Sequence, residues 1–95
     1  MKIEEKAHNM ELMLKIDSKT KSVGRQNVGN WMHFHADLID LRIAKGITQA
    51  EVAKRLGISQ PAISQFEKLN SMPHIETVLA YALAIGAKLN FSIED

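Results

Sequence analysis

Between Thr48 and Lys68 the sequence holds two short helix signatures separated by a glycine, and that pairing restricts the chain to very few local folds. Thr48 stands three residues before Glu51, the spacing of a capping box: the hydroxyl accepts from the Glu51 amide and the carboxylate reaches back to Thr48. The helix so begun runs through Val52, Ala53 and Leu56 and stops at Gly57, a residue that enters the left-handed conformation without a Cβ penalty. Ser59 opens a second helix as its N-cap, Pro61 falls in the first turn where no backbone donor is needed, and Ile63 and Phe66 face inward. Two short helices joined by so tight a turn must cross steeply, so their backbones come close at the corner, and Ala53 supplies the small side chain there. Val52, Leu56, Ile58, Ile63 and Phe66 are the expected contacts that pin the pair onto a preceding helix.

That preceding helix is legible in Trp31, Phe34, Leu38 and Leu41, which keep three-and-four spacing, with Lys45 and Gly46 as basic last turn and terminating glycine. After the pair, Asn70 to Pro73 breaks the chain, and Ile75, Val78, Leu79, Ala82 and Ile85 predict another helix ending at Gly86. Beyond it Leu89, Phe91 and Ile93 alternate with Lys88, Asn90 and Ser92, which is strand spacing. A lone strand leaves its backbone groups and apolar face unsatisfied, so it predicts a partner: the Leu12–Ile16 segment or, by preference, the same strand of a second subunit. Upstream, Ile3, Ala7, Met10 and Leu14 suit an amphipathic helix, although Leu12, Leu14 and Ile16 alternate as a short strand would. Ser18 to Gly29 is polar, carries Lys19, Lys21 and Arg25, includes Gly24 and Gly29, and reads as a linker. The predicted architecture is mainly all-α. A four-to-five-helix domain occupies residues 31–86, an N-terminal extension and linker residues 1–30, and a tail with a short C-terminal β-strand residues 87–95.

Composition narrows the function classes. Ninety-five residues, 45% hydrophobic and 24% charged, leave room for one ordinary globular core. No apolar run approaches the ~20 residues of a membrane span. Glu4 and Glu5 with no apolar stretch behind them exclude a secretory signal, and the absence of cysteine excludes disulfides and thiolate metal sites, so the expected location is cytoplasmic. His33 and His35, two apart on a helix, do not share a face, His8 and His74 are isolated, and Asp37 and Asp40 share a face with no pocket or glycine-rich loop beside it. No metal, cofactor or enzymatic activity is therefore expected. Net charge is only +1, yet from Arg42 to Lys68 five basic residues (Arg42, Lys45, Lys54, Arg55, Lys68) face two acidic ones (Glu51, Glu67), a local footprint suited to phosphates.

With Leu41-Arg42, Ile47-Thr48-Gln49, Glu51, Ala53, Leu56-Gly57, Ser59-Gln60, Ile63, Phe66-Glu67 and Pro73 in this order, the segment from Leu38 to Gly86 resembles the phage repressor and Cro (XRE-like) helix-turn-helix regulators, a family that also takes in many bacterial repressors and antitoxins. The resemblance implies an ion pair of Arg42 with Glu67 that braces the first helix against the second helix of the pair. It differs from the family pattern at His74, where a Ser-like cap is usual, and at Leu89–Ile93, where a fifth helix is usual.

Such a second helix enters the major groove, where its outward residues meet base edges. Gln60, Pro61, Ser64 and Gln65 point away from Ile63 and Phe66, and a glutamine matches adenine in a bidentate way, so Gln60 and Gln65 are the leading readers. Gln49, at the N-terminal end of the preceding helix, suits a phosphate, as do Ser59, Lys68, Asn70 and Ser71 around the second helix. The expectation is a homodimer joined through Leu89, Phe91 and Ile93. It would bind double-stranded DNA at an inverted repeat whose half-sites lie one helical turn, about 34 Å, apart. By resemblance the outcome is repression, with an antitoxin that also neutralises a partner toxin as the alternative; a protein-interaction module without DNA binding is a further one.

Overall fold

Thr48 and Ser59 both start helices as their chemistry demands. The Thr48 hydroxyl accepts from the Glu51 amide at 3.1 Å, and the Ser59 hydroxyl accepts from the Ala62 amide at 3.2 Å. The reciprocal half of the expected capping box is missing: the Glu51 carboxylate accepts from Arg55 Nε at 3.2 Å, one turn along the same helix. The structure, a computed structural model, describes residues 18–95, with side chains from Lys21. Over that range it holds helices α1 (Ser18–Ala44), α2 (Gln49–Leu56), α3 (Gln60–Phe66) and α4 (Ile75–Ala84). The chain divides into two units, the first ending at Trp31 and the second running from Met32 to Asp95. The helix or strand expected within Ile3–Ile16 lies outside the described residues. Among those described, no helix is long and apolar enough to cross a membrane.

Three helices stop in the same way. After α1 the Gly46 amide donates to Ile43 O and the Ile47 amide to Arg42 O; Gly57 and Ile58 repeat the pattern on Lys54 O and Ala53 O, and Gly86 and Ala87 on Leu83 O and Ala82 O. This is the paired bonding of a Schellman end, which needs a residue with positive φ at its centre. Gly57 sits there at φ 66°, and a side chain would be strained at that angle although nothing crowds it.

The second unit closes on one core. Leu38 from α1, Val52 and Ala53 from α2, Ile63 and Phe66 from α3, and Val78, Tyr81, Ala82 and Ala84 from α4, with Ile85 just beyond it, are all buried. Full burial of a side chain the size of Ile63 contributes about 1.5–3 kcal/mol. Buried Ala53 marks the corner where α2 and α3 pack together, and α2 packs against α4 as well. His35 is wholly buried with its ring edge-on to Phe66, the centroids 4.9 Å apart. The inward side of α1 in this unit is therefore His35, Leu38 and Arg42, while Leu41 is exposed. Ile58 is also exposed, so it does not carry the packing expected of it, and Leu56 is half-buried.

Two expectations are not supported by the described residues. Ser18–Gly29 is helix, not linker. Gly24 and Gly29 lower helix stability by only about 1 kcal/mol each, and extending an existing helix fixes one residue per added hydrogen bond, which is far easier than starting one. The tail from Ala87 to Asp95 has no strand structure. Its alternation at Leu89, Phe91 and Ile93 is real, but a strand exists only by bonding to a neighbour, and the described residues offer none. Ile93 is 99% exposed.

Candidate nucleic-acid interface

Helix α3 has one apolar side and one open side. Ile63 and Phe66 are buried, whereas Gln60, Pro61, Ser64 and Gln65 are all exposed. Pro61 lies in the first turn, where its missing N–H leaves no bond unmade. The four candidate readers thus share the solvent side of one short helix, with two glutamine amides able to both donate and accept.

Behind that helix lies a carboxylate on which all four helices converge. Glu67, the residue that caps α3, receives Arg42 Nε on Oε2 at 2.6 Å and Arg42 Nη2 on Oε1 at 2.9 Å. Gln49 Nε2 donates to Oε1 at 2.9 Å, and the Tyr81 hydroxyl donates to Oε2 at 2.7 Å. Arg42 Nη1 also donates to Ile47 O at 2.8 Å, tying the guanidinium to the turn that leads into α2. A bidentate arginine with two further donors fills the acceptor sites of a carboxylate. Burial on its own would raise the Glu67 carboxyl, but the bonds from Arg42, Tyr81 and Gln49 outweigh it and hold the group below its ordinary value. Burial together with the adjacent carboxylate pushes the Tyr81 hydroxyl well above its ordinary value, so it stays a donor. The bond from Glu67 likewise raises Arg42 and keeps it charged.

The residues expected at phosphates are placed unevenly. Gln49 is half-buried and one hydrogen of its amide is turned inward to Glu67, leaving the other N–H and the carbonyl for a ligand. Ser59 is exposed, with its oxygen serving as the N-cap. Lys68 and Asn70 are exposed in the turn after α3. Ser71 donates from its hydroxyl to Lys68 O at 2.7 Å and from its amide to the same oxygen at 3.0 Å, so its donors serve the turn.

Not all of the segment's cationic side chains are free for a ligand. Arg42 is spent on Glu67. Lys45 Nζ donates to Ile85 O at 2.7 Å and to Gly86 O at 3.2 Å, and Arg55 Nη1 donates to Ala84 O at 2.6 Å. Two cations thus cap the carbonyl end of α4, where the helix dipole favours them. Lys54 and Lys68 are further exposed cations of the segment. Tyr81 is the member of the Glu67 network that periodicity alone missed, because Leu79 looked like the inward neighbour of Val78. The buried stripe is instead Val78, Tyr81, Ala82 and Ile85, while Ile75, Leu79 and Leu83 are exposed. A lone tyrosine at i+3 from a core valine was the available signal, since a buried phenol must find a partner for its hydroxyl.

Residues 38–91, more than half of the chain, match the helix-turn-helix family. The chain is also similar to two proteins named antitoxin HigA1, from Mycobacterium tuberculosis strains CDC 1551 / Oshkosh and ATCC 25618 / H37Rv. Identity to each is 46% over 57 residues, covering 60% of this chain and 38% of the relative. The match thus spans well under two thirds of those relatives' length. No solved structure matches the chain significantly. The matched span holds α2, α3 and α4 whole together with the end of α1, and the chain belongs to the helix-turn-helix family of the phage repressor and Cro (XRE) type.

Proposed function

We propose that this protein is a sequence-specific DNA-binding transcriptional regulator, a dimeric repressor that lays α3 in the major groove of an inverted repeat. The observation that carries this is the division of α3 into a buried side, Ile63 and Phe66, and an exposed side made of Gln60, Pro61, Ser64 and Gln65. A helix so mounted presents its first turns to base edges while the core holds its angle. Gln60 and Gln65 read adenines through paired donor and acceptor, Pro61 offers an apolar contact to a thymine methyl, and Ser64 adapts to either strand. Gln49, Lys68 and Asn70 take phosphates, with Ser59 and Ser71 in lesser roles because their hydroxyls already serve a cap and a turn. Glu67 does not oppose this arrangement, because four donors neutralise its carboxylate on the inner side of α3.

Dimer formation is supported by the exposed apolar side chains of α4 and the tail. Phe91 is 69% and Leu83 79% exposed, and Leu89, Ile93, Ile75 and Leu79 add to that surface. The test is a binding selection over randomised duplexes at two salt concentrations. An enriched inverted repeat whose preference survives the higher salt is the expected result; uniform, purely salt-dependent retention removes sequence reading.

A second reading is favoured by the 46% identity to proteins named antitoxins: the chain binds DNA and also neutralises a toxin. Co-expression with the product of an adjacent small reading frame separates the two, because only the antitoxin relieves a growth arrest and co-purifies with its partner.

A further inference from the structure

Glu67 is held by donors from three helices, and two of them, Gln49 and Tyr81, lie outside its ion pair with Arg42. α2 packs directly against both α3 and α4, whereas α3 and α4 have little backbone proximity and meet through the Tyr81 side chain. That side chain grips the end of α3 twice. Its ring lies tilted on Phe66, the centroids 4.5 Å apart, and its hydroxyl donates to Glu67 Oε2 at 2.7 Å. Tyr81 is wholly buried, so water cannot replace either contact.

The consequence follows from length. α3 has seven residues, about 10 Å at the usual rise, so an angular change at its C-terminal end reaches the first turn, where Gln60 and Pro61 stand. The same carboxylate also holds the Gln49 amide on Oε1. If Oε2 loses its phenol donor, the Arg42 fork still holds the carboxylate, but Tyr81 then ties the end of α3 only through its ring on Phe66. We propose that Tyr81 is a positioning residue for sequence discrimination: through Glu67 and Phe66 it sets the angle at which α3 presents Gln60 and Gln65 to the bases. This rests on the DNA-reading function proposed above. Tyr81 touches no base itself, and its effect belongs to the preference among duplexes and not to overall attraction, which the exposed cations and backbone amides supply.

Tyr81→Phe keeps the ring on Phe66 and removes one hydrogen bond. The affinities of the wild-type and variant chains are measured at one salt concentration for the selected duplex and for a random duplex. With helical circular dichroism and cooperative melting retained, the variant should lose about fivefold of the selected-to-random preference, and its affinity for random duplex should stay within about twofold of wild type. A preference equal to wild type, or an equal fall on both duplexes, overturns the proposal. A second measurement leaves the fold untouched. The chain has one tyrosine, so fluorotyrosine incorporation places a single fluorine resonance at this ring. That resonance should shift differently with selected and with random duplex, and the same shift with both overturns the proposal. If the wild-type chain prefers no duplex, the proposed function falls and this inference with it; if it discriminates and Tyr81→Phe discriminates equally, only the inference falls.

Discussion

Glu67 shows how much of this site is decided by what surrounds a single side chain. Counted in the sequence it is one of two acids among five bases between Arg42 and Lys68; in the fold it is an inward acceptor with four donors. Glu67→Ala would leave Arg42 buried without its counter-charge, and the expected loss is about 3–5 kcal/mol, read from the urea midpoint. Because the folded Glu67 carboxyl is held below its ordinary value, its contribution is present above the ordinary carboxylate range and disappears as pH falls through the folded value. Stability of the wild type should therefore drop more steeply on acidification than that of Glu67→Gln. Parallel urea curves across the acidic range check this, and equal slopes would remove Glu67 from the acid response. On the other side of α3, Gln60→Ala or Gln65→Ala should each cost about 1–3 kcal/mol on the selected duplex and little on random DNA. Direct titration of both duplexes checks it, and equal losses would show that neither side chain reads bases.

Helix ends are where local chemistry was most legible. Thr48, Ser59 and Gly57 act in the structure as their types and spacing predict, because a cap bonds within a few residues of itself. Where a cap is supplied from a distant element, spacing could not reveal it. Lys45 and Arg55, which sit near the ends of α1 and α2, close the C-terminus of α4 through Ala84, Ile85 and Gly86 carbonyls. Arg55, counted in the sequence among the basic residues suited to phosphates, also caps the end of α4. Lys45→Met and Arg55→Met should each destabilise by about 1 kcal/mol. Fraying should be confined to the end of α4, visible as faster amide exchange at Ile85 to Ala87, and unchanged exchange there would deny the capping role. α1 teaches the converse. Gly24 and Gly29 read as breaks, yet the helix passes through both, since two weak residues do not outweigh continuity with the strong segment that follows.

At the scale of the whole molecule, exposed apolar surface bears on assembly. Phe91 and Ile93 in the tail and Ile75, Leu79 and Leu83 on α4 are exposed, while the core of the second unit is complete without them. Leu83→Asp or Phe91→Asp should convert a dimer to a monomer by light scattering. Each should also weaken binding to an intact inverted repeat far more than to one half-site, because two linked half-sites multiply their affinities. An unchanged mass in both variants would place the interface elsewhere.

The sequence by itself determined the local events: where α2 and α3 begin and end, the turn at Gly57, and the opposition of Ile63 and Phe66 to the glutamines of α3. These depend on contacts within about one turn of the chain, which residue type and spacing encode directly. The tertiary structure alone decided that Tyr81 and Gln49 join Arg42 on Glu67, that Lys45 and Arg55 cap a helix far along the chain, and that Leu89–Ile93 forms no strand. In each of these the partner lies on another element or is not found among the described residues, and alternation or charge along the chain carries no record of which group stands opposite.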